Sequence, residues 1–489
     1  MTSPSRFTKK RIFLIILTLT LTLLGSFGLP HQYKPLPYGL SYKSDVCSVP
    51  ENDIKFLHDL TWYKGDVQHK EQEIFDSVFA LIDRADRYIL IDMFLFNDQT
   101  GKSTRSFRNL SGELAAHLIN KKRSSPETVI DVITDPINIV YGGSHSPIID
   151  RLMQAGINVI VTNLSKLRDS NRFYSPVWRL FFQWLGNSDK GGFFPHPFSA
   201  DEKGVSLRSY LSLLNFKANH RKIILTDADS TFSAIVASAN PHDASADHSN
   251  TAFAIKGKVC KELYDCESAV ARISGGTLGR LPSLSFVADS ITSGCNVRFF
   301  TEGAIRDALV RRVSSTDSND TISVAVFYLS DRKVISSLKN AVRRGVTTGI
   351  ILDPNTNAFG YKKNGIPNLP VAAELVEEGC DVSFYNSIYE QFHTKMICIR
   401  YASDSIWAMT GSANYTRRNI GDLNLELDCA VSGKRSAAPA RQILAYCDRL
   451  FKQTDTAVTL TTPFSPDKKS GFFSRCKYRF FEASGFSSF

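Results

Sequence analysis

The same short pattern occurs twice in this chain, and the repeat limits the folds that the chain can adopt. Of the ten histidines, only His220 and His393 are followed two residues later by a lysine, and each copy then reaches a Ser-Ala-Asn segment. Ser238 and Ser412 begin those segments, eighteen residues after the first histidine and nineteen after the second. Two copies at matched spacing predict two equivalent lobes, each of which contributes half of one site.

The spacing within each copy indicates phosphoryl-transfer chemistry. Residues i and i+2 of a strand face the same side, so His220 points with Lys222 and His393 points with Lys395. An imidazole can attack phosphorus, while ammonium and amide groups hold phosphate oxygens. Face-to-face lobes would place two imidazoles around one phosphate, where one attacks and the other protonates the leaving oxygen.

The rest of the chain alternates helices and strands in a repeated order. Residues 74–87 have helical apolar spacing and lead into YILIDMFLF, an apolar strand of the kind that is buried on both faces. Later, a helix at 305–313 precedes ISVAVFYL, and a helix at 334–344 precedes TTGIILD. This alternation predicts an α/β fold in which helices flank a mixed or parallel sheet in each lobe.

The repeat resembles the phospholipase D superfamily, whose mark is a duplicated HxKxxxxD motif followed by a GSxN-like segment. The resemblance covers roughly residues 70–435. The residues of the first copy are His220, Lys222, Asp227, Ser238 and Asn240, with Ala237 at the glycine position. The residues of the second copy are His393, Lys395, Gly411, Ser412 and Asn414, with Arg400 at the aspartate position.

The resemblance implies two pseudo-symmetric lobes with one active site between them, a phosphohistidine intermediate, and neither metal nor cofactor. It assigns phosphate binding to Ser238, Asn240, Ser412 and Asn414, with Lys222 and Lys395 at the non-bridging oxygens. By family analogy His220 is the nucleophile and His393 the general acid. The motif aspartate is largely a structural support in the family, so its replacement by Arg400 puts local geometry in doubt more than chemistry.

A carboxylate is also expected to orient a histidine through the ring nitrogen that does not react. Glu426 in NLELD fits that role for His393, and Ala252 is the expected counterpart in the first lobe. Asp243 or Asp247 could substitute there, or both could belong to a solvated loop with His242 and His248. Glu426 also argues for the reverse assignment of nucleophile and acid, so both assignments stay open.

The N-terminal region predicts a membrane anchor. An uncharged apolar run at 12–29 follows three basic residues, and at 1.5 Å per residue it extends roughly 27 Å, just enough to cross a bilayer. An uncleaved anchor is favoured over a cleaved signal. The basic residues predict a cytoplasmic segment 1–11 and a catalytic body on the other side of the membrane. With the repeat, this indicates a membrane-anchored, bacterial-type member of the superfamily.

At 489 residues the chain is too long for one ordinary core. We predict a connector at 30–60, a first lobe at 61–257, an inter-lobe connection at 258–300, a second lobe at 301–435 and a C-terminal extension at 436–489. An aromatic and basic segment at 167–197 either lines an acyl pocket or membrane interface, or packs as an ordinary helix. The aromatic C-terminus is expected to dock or to touch a membrane.

The composition limits the kinds of ligand that the protein is expected to bind. The net charge of +10 favours an anionic partner, such as phospholipid or nucleic acid. The nine cysteines contain no paired CxxC, which argues against a zinc site. The leading hypothesis is a phosphodiesterase that hydrolyses phospholipids or transfers their phosphatidyl groups. The alternatives are a nuclease of the same superfamily and a non-catalytic, membrane-associated binding protein.

Overall fold

Two large sheets form the core of the computed structural model, which describes residues 6–199, 202–284, 294–454, 458–466 and 471–487. Parts of the predicted segments 1–11, 258–300 and 436–489 lie outside these described residues. The helices are α1 Arg6–Tyr33, α2 Ile74–Arg84, α3 Leu110–Ser124, α4 Pro147–Gln154, α5 Tyr174–Val177, α6 Leu207–Ser212, α7 Lys261–Ile273, α8 Gly303–Ser314, α9 Arg332–Arg343, α10 Asn368–Glu377, α11 Arg417–Ile420, α12 Ala438–Phe451 and α13 Phe472–Ser484.

The strands are β1 Cys47–Pro50, β2 Ile54–Lys64, β3 Val67–Gln72, β4 Tyr88–Met93, β5 Val129–Thr134, β6 Asn158–Val161, β7 Lys222–Thr226, β8 Ser233–Ala237, β9 Asn250–Lys256, β10 Gly294–Thr301, β11 Thr321–Val326, β12 Thr347–Leu352, β13 Asn357–Ala358, β14 Tyr361–Lys362, β15 Asp381–Tyr385, β16 Lys395–Tyr401, β17 Ser405–Gly411, β18 Leu427–Lys434 and β19 Thr461–Pro463.

The two sheets repeat one topology. The first has the order β3-β2-β9-β8-β7-β4-β5-β6, and the second has the order β1-β10-β18-β17-β16-β11-β12-β15-β19. In each sheet three strands run parallel, β4-β5-β6 in the first and β11-β12-β15 in the second. Antiparallel strands complete both sheets. The predicted α/β fold of two pseudo-symmetric lobes with mixed sheets is confirmed.

Local sequence explains why these elements form. Every residue of β4 is buried, as its continuous apolar run predicts. Helix α2 buries Ile74, Phe75, Val78, Phe79, Leu81 and Ile82. The helix ends at Arg84, three residues before the predicted end, and the backbone N–H groups of residues 86–88 instead donate to the Asp227 carboxylate.

The sheets take strands from segments that the sequence assigned to linkers. Strand β2 begins at Ile54, within the predicted connector, and β10 begins at Gly294, within the predicted inter-lobe connection. Strand β1 pairs with β10, and β19 pairs with β15. The chain before the first lobe and the chain after the second therefore both extend the second sheet.

Helix α1 is docked on the body at its C-terminal end. Among the described residues it is the one helix that is long and apolar enough to cross a membrane, over Lys10–Tyr33 with a mean hydropathy of 2.3. The His31 carbonyl accepts a hydrogen bond from the Asp169 N–H at 3.0 Å, and the Gln32 amide donates to the Arg172 carbonyl at 3.2 Å. These contacts fix the apolar helix against the first lobe.

The two aromatic segments behave differently. In the segment 167–197, Trp184 is 77% exposed and Phe193 is 95% exposed, so this region is not an ordinary packed helix. At the C-terminus, α13 docks on the second lobe because Tyr478 is fully buried and its hydroxyl donates to the Ser330 carbonyl at 3.0 Å.

The lobes meet along the edges that carry the repeated motifs. The His220 N–H donates to the Leu425 carbonyl at 2.8 Å, and the Ser249 N–H donates to the Gln391 carbonyl at 3.1 Å. Below this contact the fully buried Arg221 bridges the lobes. Its guanidinium pairs with Glu267 at 3.0 Å and with Glu302 at 2.6 Å.

We expect Arg221→Ala to destabilise the protein strongly because it leaves two carboxylates buried without their cation. Breaking a buried ion network of this kind costs about 3–5 kcal/mol, which lowers the midpoint of thermal unfolding by on the order of 10 °C. The exposed Arg151 provides the matched control, since Arg151→Ala removes an arginine without burying a charge. Equal midpoints for the two variants would contradict a structural role for the network.

Candidate active site

The two repeated motifs occupy equivalent positions and open on one cavity. His220 lies two residues before the start of β7, and His393 lies two residues before the start of β16. Both imidazoles line a cavity of about 410 Å³ between the lobes, together with Asn240 and Asn414. The structure therefore brings the two copies of the motif together.

Each histidine has a phenylalanine and a lysine in matching positions. The Phe94 ring lies 4.7 Å from the His220 ring, and the Phe327 ring lies 5.1 Å from the His393 ring, centroid to centroid. The Lys222 ammonium lies 5.1 Å from the Phe94 centroid and the Lys395 ammonium lies 5.1 Å from that of Phe327. Each lysine also donates to the backbone carbonyl of its own histidine.

The carboxylate Glu426 contacts His220, and the expectation that it orients His393 is wrong. The Nδ1 atom of His220 lies 2.9 Å from Oε1 and 3.0 Å from Oε2 of Glu426. Glu426 also accepts hydrogen bonds from Ser412 and Asn419. The second lobe thus supplies the carboxylate that orients the histidine of the first lobe.

His393 is oriented by an amide instead. Its Nδ1 atom lies 3.1 Å from Oδ1 of Asn250, and Ser238 donates to the same oxygen at 3.0 Å. Asn250 is thus the counterpart of Glu426, and the expected counterpart Ala252 is wrong. Ten residues separate Asn240 from Asn250, but twelve separate Asn414 from Glu426, so alignment by offset put the pair two residues out of register.

Neither proposed substitute carboxylate contacts His220 or His393. Asp243 accepts hydrogen bonds from the N–H and hydroxyl of Ser111 at 2.9 and 2.8 Å. Asp247 forms ion pairs with Lys70 and Arg105. Both aspartates therefore hold the fold around the site.

The serines and asparagines of the motif have separate surroundings. Ser238 and Ser412 are fully buried, each donating to the group that orients a histidine, and neither is among the described residues that line the cavity. Asn240 and Asn414 do line it, and among the described residues their Oδ1 atoms have no hydrogen-bond partner. The asparagines are thus the motif residues, besides the two histidines, whose side chains reach the cavity.

Asp227 lies away from the cavity and joins two strands. Its Oδ1 accepts from three successive N–H groups at 2.9–3.1 Å just before β4. In the second lobe the corresponding Arg400 forms an ion pair with Asp448. In this lobe the carboxylate lies on the other strand: Asp320, just before β11, accepts a hydrogen bond from the Ala402 N–H, just after β16, at 2.8 Å. This contact joins the two strands in place of the one that the motif aspartate makes in the first lobe.

His248 lines the cavity, whereas one of the two interpretations of the sequence placed it in a solvated loop. It is buried, and its ring centroid lies 5.8 Å from that of His393. Its Nδ1 accepts a hydrogen bond from the Gln391 N–H at 3.2 Å, so the neutral ring carries its proton on Nε2. That donor has no partner among the described residues. The sequence signal for this residue was its position, because His248 lies two residues before Asn250, the residue that contacts His393.

Burial controls the charges in the site. It lowers the pKa of His220 to about 4, although Glu426 opposes the shift. Burial and the Lys395 charge hold the pKa of His393 well below its usual range. Burial lowers the pKa of Lys222 to about 7. Burial and the positive charge of Lys222 together hold the pKa of Lys395 well below its usual range. Both imidazoles are therefore neutral at pH 7, and the Glu426 carboxylate offsets only part of the effect of burial on the pKa of the two lysines.

No group of three or more His, Cys, Asp or Glu side chains is arranged to hold a metal ion in the described ranges. What the geometry defines is a two-lobed α/β protein with paired histidines, each backed by a lysine, around one cavity between the lobes.

Comparison with known proteins finds a family model that matches the second lobe and a similar fold for the whole chain. Residues 309–451 match the family model described as cardiolipin synthase, PLD-like domain. The fold is similar to that of phosphatidylserine synthase from Haemophilus influenzae Rd KW20, with a TM-score of 0.54 and 10% identity over 94% of this chain and 98% of that one. The second lobe therefore matches a PLD-like domain, and the whole chain has a fold similar to that of a solved synthase.

Two further solved structures are similar to a smaller degree. Polyphosphate kinase from Porphyromonas gingivalis has a TM-score of 0.45 at 11% identity, covering 89% of this chain and 53% of that one. The phospholipase D family member Nuc from Salmonella typhimurium has a TM-score of 0.26 at 18% identity, covering 35% of this chain and 98% of that one. No curated protein matches the chain by sequence.

We expect the affinity of the cavity for a soluble phosphodiester to fall as the pH rises through about 7. The anion keeps one negative charge over this range, whereas Lys222, with its pKa of about 7, loses its positive charge. Losing one charged hydrogen-bond donor weakens binding roughly tenfold. Titration calorimetry of the full chain between pH 6 and 9 measures this change. Lys222→Arg, which stays charged, should show a much smaller decrease, and a constant affinity for the parent protein would contradict the assignment.

Proposed function

We propose that this protein is a phospholipase D-type phosphodiesterase that hydrolyses phospholipids or transfers their phosphatidyl group to an alcohol. The observation that carries the proposal is the pairing of His220 and His393, one from each lobe, on a single cavity that Asn240 and Asn414 also line. An enzyme that attacks phosphorus and protonates the leaving oxygen needs two such groups on opposite sides of one phosphate.

Three features favour a lipid over other phosphodiesters. The second lobe matches a family model described for cardiolipin synthase, and the similar full-length fold is that of a protein named phosphatidylserine synthase. The cavity is lined by apolar side chains beside its polar end, including Phe94, Phe198, Phe216, Phe327 and Phe359. An apolar helix long enough to span a membrane is docked on the same body.

In the first step His220 attacks phosphorus. Its Nε2 lone pair forms the P–N bond, and the P–O bond to the leaving alcohol breaks. The leaving oxygen takes a proton from His393. Glu426 accepts the Nδ1–H of His220 and stabilises the positive charge that this ring acquires as it becomes a phosphohistidine.

In the second step His393 acts as a base. It removes a proton from water or from an acceptor alcohol, whose oxygen attacks the phosphohistidine. The P–N bond then breaks and its electron pair returns to His220. His393 now carries the proton from the water or alcohol and is ready for the next cycle. Water yields hydrolysis, whereas an alcohol yields transfer of the phosphatidyl group.

The remaining motif residues stabilise the negative charge on the oxygens bound to phosphorus. Lys222 and Lys395 provide positive charge at the base of the two histidines, and Asn240 and Asn414 provide amide donors at the cavity surface. Such donors typically contribute about 10²- to 10³-fold to the rate each. The negative phosphate in turn favours the charged forms of the lysines and of His393, which burial suppresses in the free protein.

The two histidines can be tested separately with leaving groups of different quality. We expect His220→Asn and His393→Asn each to reduce hydrolysis of phosphatidylglycerol by the full chain by at least about 10²-fold. In a phospholipid ester of p-nitrophenol, the leaving group p-nitrophenolate needs no proton from an acid. The His393→Asn protein should therefore still form the phosphohistidine from this substrate and release a burst of nitrophenol. His220→Asn should give no burst.

The outcomes of this assay separate the hypotheses. A burst from His220→Asn but not from His393→Asn would reverse the roles of nucleophile and acid. Full activity in both variants would exclude the two-histidine mechanism. Turnover of single-stranded DNA without turnover of phosphatidylcholine or phosphatidylglycerol would favour a nuclease, and turnover of none by the folded protein would favour a binding protein.

Glu426 and Asn250 provide a matched pair of positioning residues. We expect Glu426→Gln to lower kcat by about 10²- to 10⁴-fold, because the neutral amide cannot stabilise a positive His220 ring. Asn250→Ala should lower kcat only about tenfold, since His393 loses orientation but no charged partner. The pH–rate profiles check that these residues act through the histidines. A larger effect of Asn250→Ala would contradict the assignment of His220 as nucleophile.

A further inference from the structure

A second cavity lies at the end of α1. It has a volume of about 480 Å³ and is bordered by Gln32 and Tyr33, the last two residues of that helix. Its other walls come from the first lobe, the second lobe and α13. It shares no lining residue with the active-site cavity.

Basic side chains dominate this second cavity, which we call the arginine pocket. Its basic lining residues are Arg168, Arg172, Arg306, Arg332, Lys333, Arg417 and Arg479, and its acidic lining residues are Asp331 and Glu482. Both acids are occupied by other donors. Asp331 accepts two N–H groups at the start of α9, and Glu482 accepts from the Ser330 hydroxyl and from the Arg417 N–H.

Several of the guanidinium groups lack an adequate anion. The Nε atoms of Arg172 and Arg306 are buried without a hydrogen-bond partner among the described residues, and the carboxylate paired with Arg306, Asp331, is 3.9 Å away. Burial and the Arg172 charge lower the pKa of Arg417. By contrast, Glu374 neutralises Arg332 at 2.7 Å. Burying cations together without anions is costly unless a ligand supplies the missing charge.

We propose that the arginine pocket binds a phosphate group, as a non-catalytic site distinct from the paired histidines. Guanidinium groups bind phosphate oxygens through paired N–H donors, and three of them, on Arg172, Arg306 and Arg417, are available here. The phosphate belongs either to an anionic phospholipid or to free phosphate.

The position of the pocket favours a lipid headgroup as the source. It opens beside Gln32 and Tyr33, where the apolar run of α1 ends. If α1 spans a bilayer, this end lies at the interface, where headgroup phosphates are concentrated. The exposed Trp184 and Phe193 belong to the first-lobe segment next to α1, and aromatic side chains are enriched at that depth.

Counting the retained lipids tests the proposal without depending on turnover. Full-length protein carrying His220→Asn and His393→Asn would be equilibrated with phosphatidylglycerol in detergent and analysed by native mass spectrometry. We expect two bound lipids, one in each cavity. Adding Arg172→Gln and Arg306→Gln should leave one, since each lost guanidinium weakens binding roughly tenfold. The control Arg151→Gln, on an exposed part of α4, should retain two.

Further measurements distinguish a lipid phosphate from free phosphate as the ligand, and distinguish failure of the arginine pocket from failure of the proposed phosphodiesterase function. Displacement of one lipid by millimolar inorganic phosphate would support the pocket with free phosphate as its ligand. One lipid in the control and none after the arginine changes would support the pocket but not lipid binding at the histidines. Equal retention with and without the arginine changes would overturn the pocket. Arg172→Lys with Arg306→Lys, which keeps the charge, should recover part of the binding and thereby excludes misfolding as the cause of a loss.

Discussion

The hydrogen bond between Glu426 and His220 is the interaction on which the rest of the site depends. It joins a carboxylate of the second lobe to an imidazole of the first, and both groups are buried. Burial alone would raise the pKa of Glu426, but the neighbouring His220 and Lys222 lower it, so the carboxylate stays charged. Neither lobe could hold these groups in that state alone, because each would leave a polar group buried without its partner.

The second cross-lobe contact is similar in geometry and different in charge. Asn250 holds His393 through a neutral oxygen at nearly the same distance at which Glu426 holds His220. A carboxylate stabilises a positive imidazole and an amide does so much less. The structure thus gives two identical side chains different partners: a positive charge on the His220 ring would be stabilised by a carboxylate, whereas the His393 ring has only a neutral oxygen beside it. The sequence argument that Glu426 supports the reverse assignment no longer applies, because Glu426 does not contact His393.

The sequence predicted the repeated elements better than the contacts between them. Strand and helix order followed from apolar periodicity, as α2 and β4 illustrate. Pairing across the lobes was not predictable, because spacing along the chain reports which residues share a strand and not which strand edges meet. The role of Asn250 was missed because the preceding loop is two residues shorter than its counterpart. The loss of the motif aspartate at Arg400 was visible, but its compensation by Asp320 depends on a contact between residues 82 positions apart.

The arginine pocket illustrates the same limit, since its residues come from separate segments and form no local motif. Its position nevertheless has a physical consequence for the active site. The four-residue helix α11 begins with Arg417, which lines the arginine pocket, and contains Asn419, which lines the active-site cavity and donates to Glu426. A phosphate bound by Arg417 would restrain this helix and with it the donor that holds the Glu426 carboxylate against His220. Phosphate binding in the arginine pocket and the orientation of His220 would then be linked through one turn of helix, which requires no movement of either lobe.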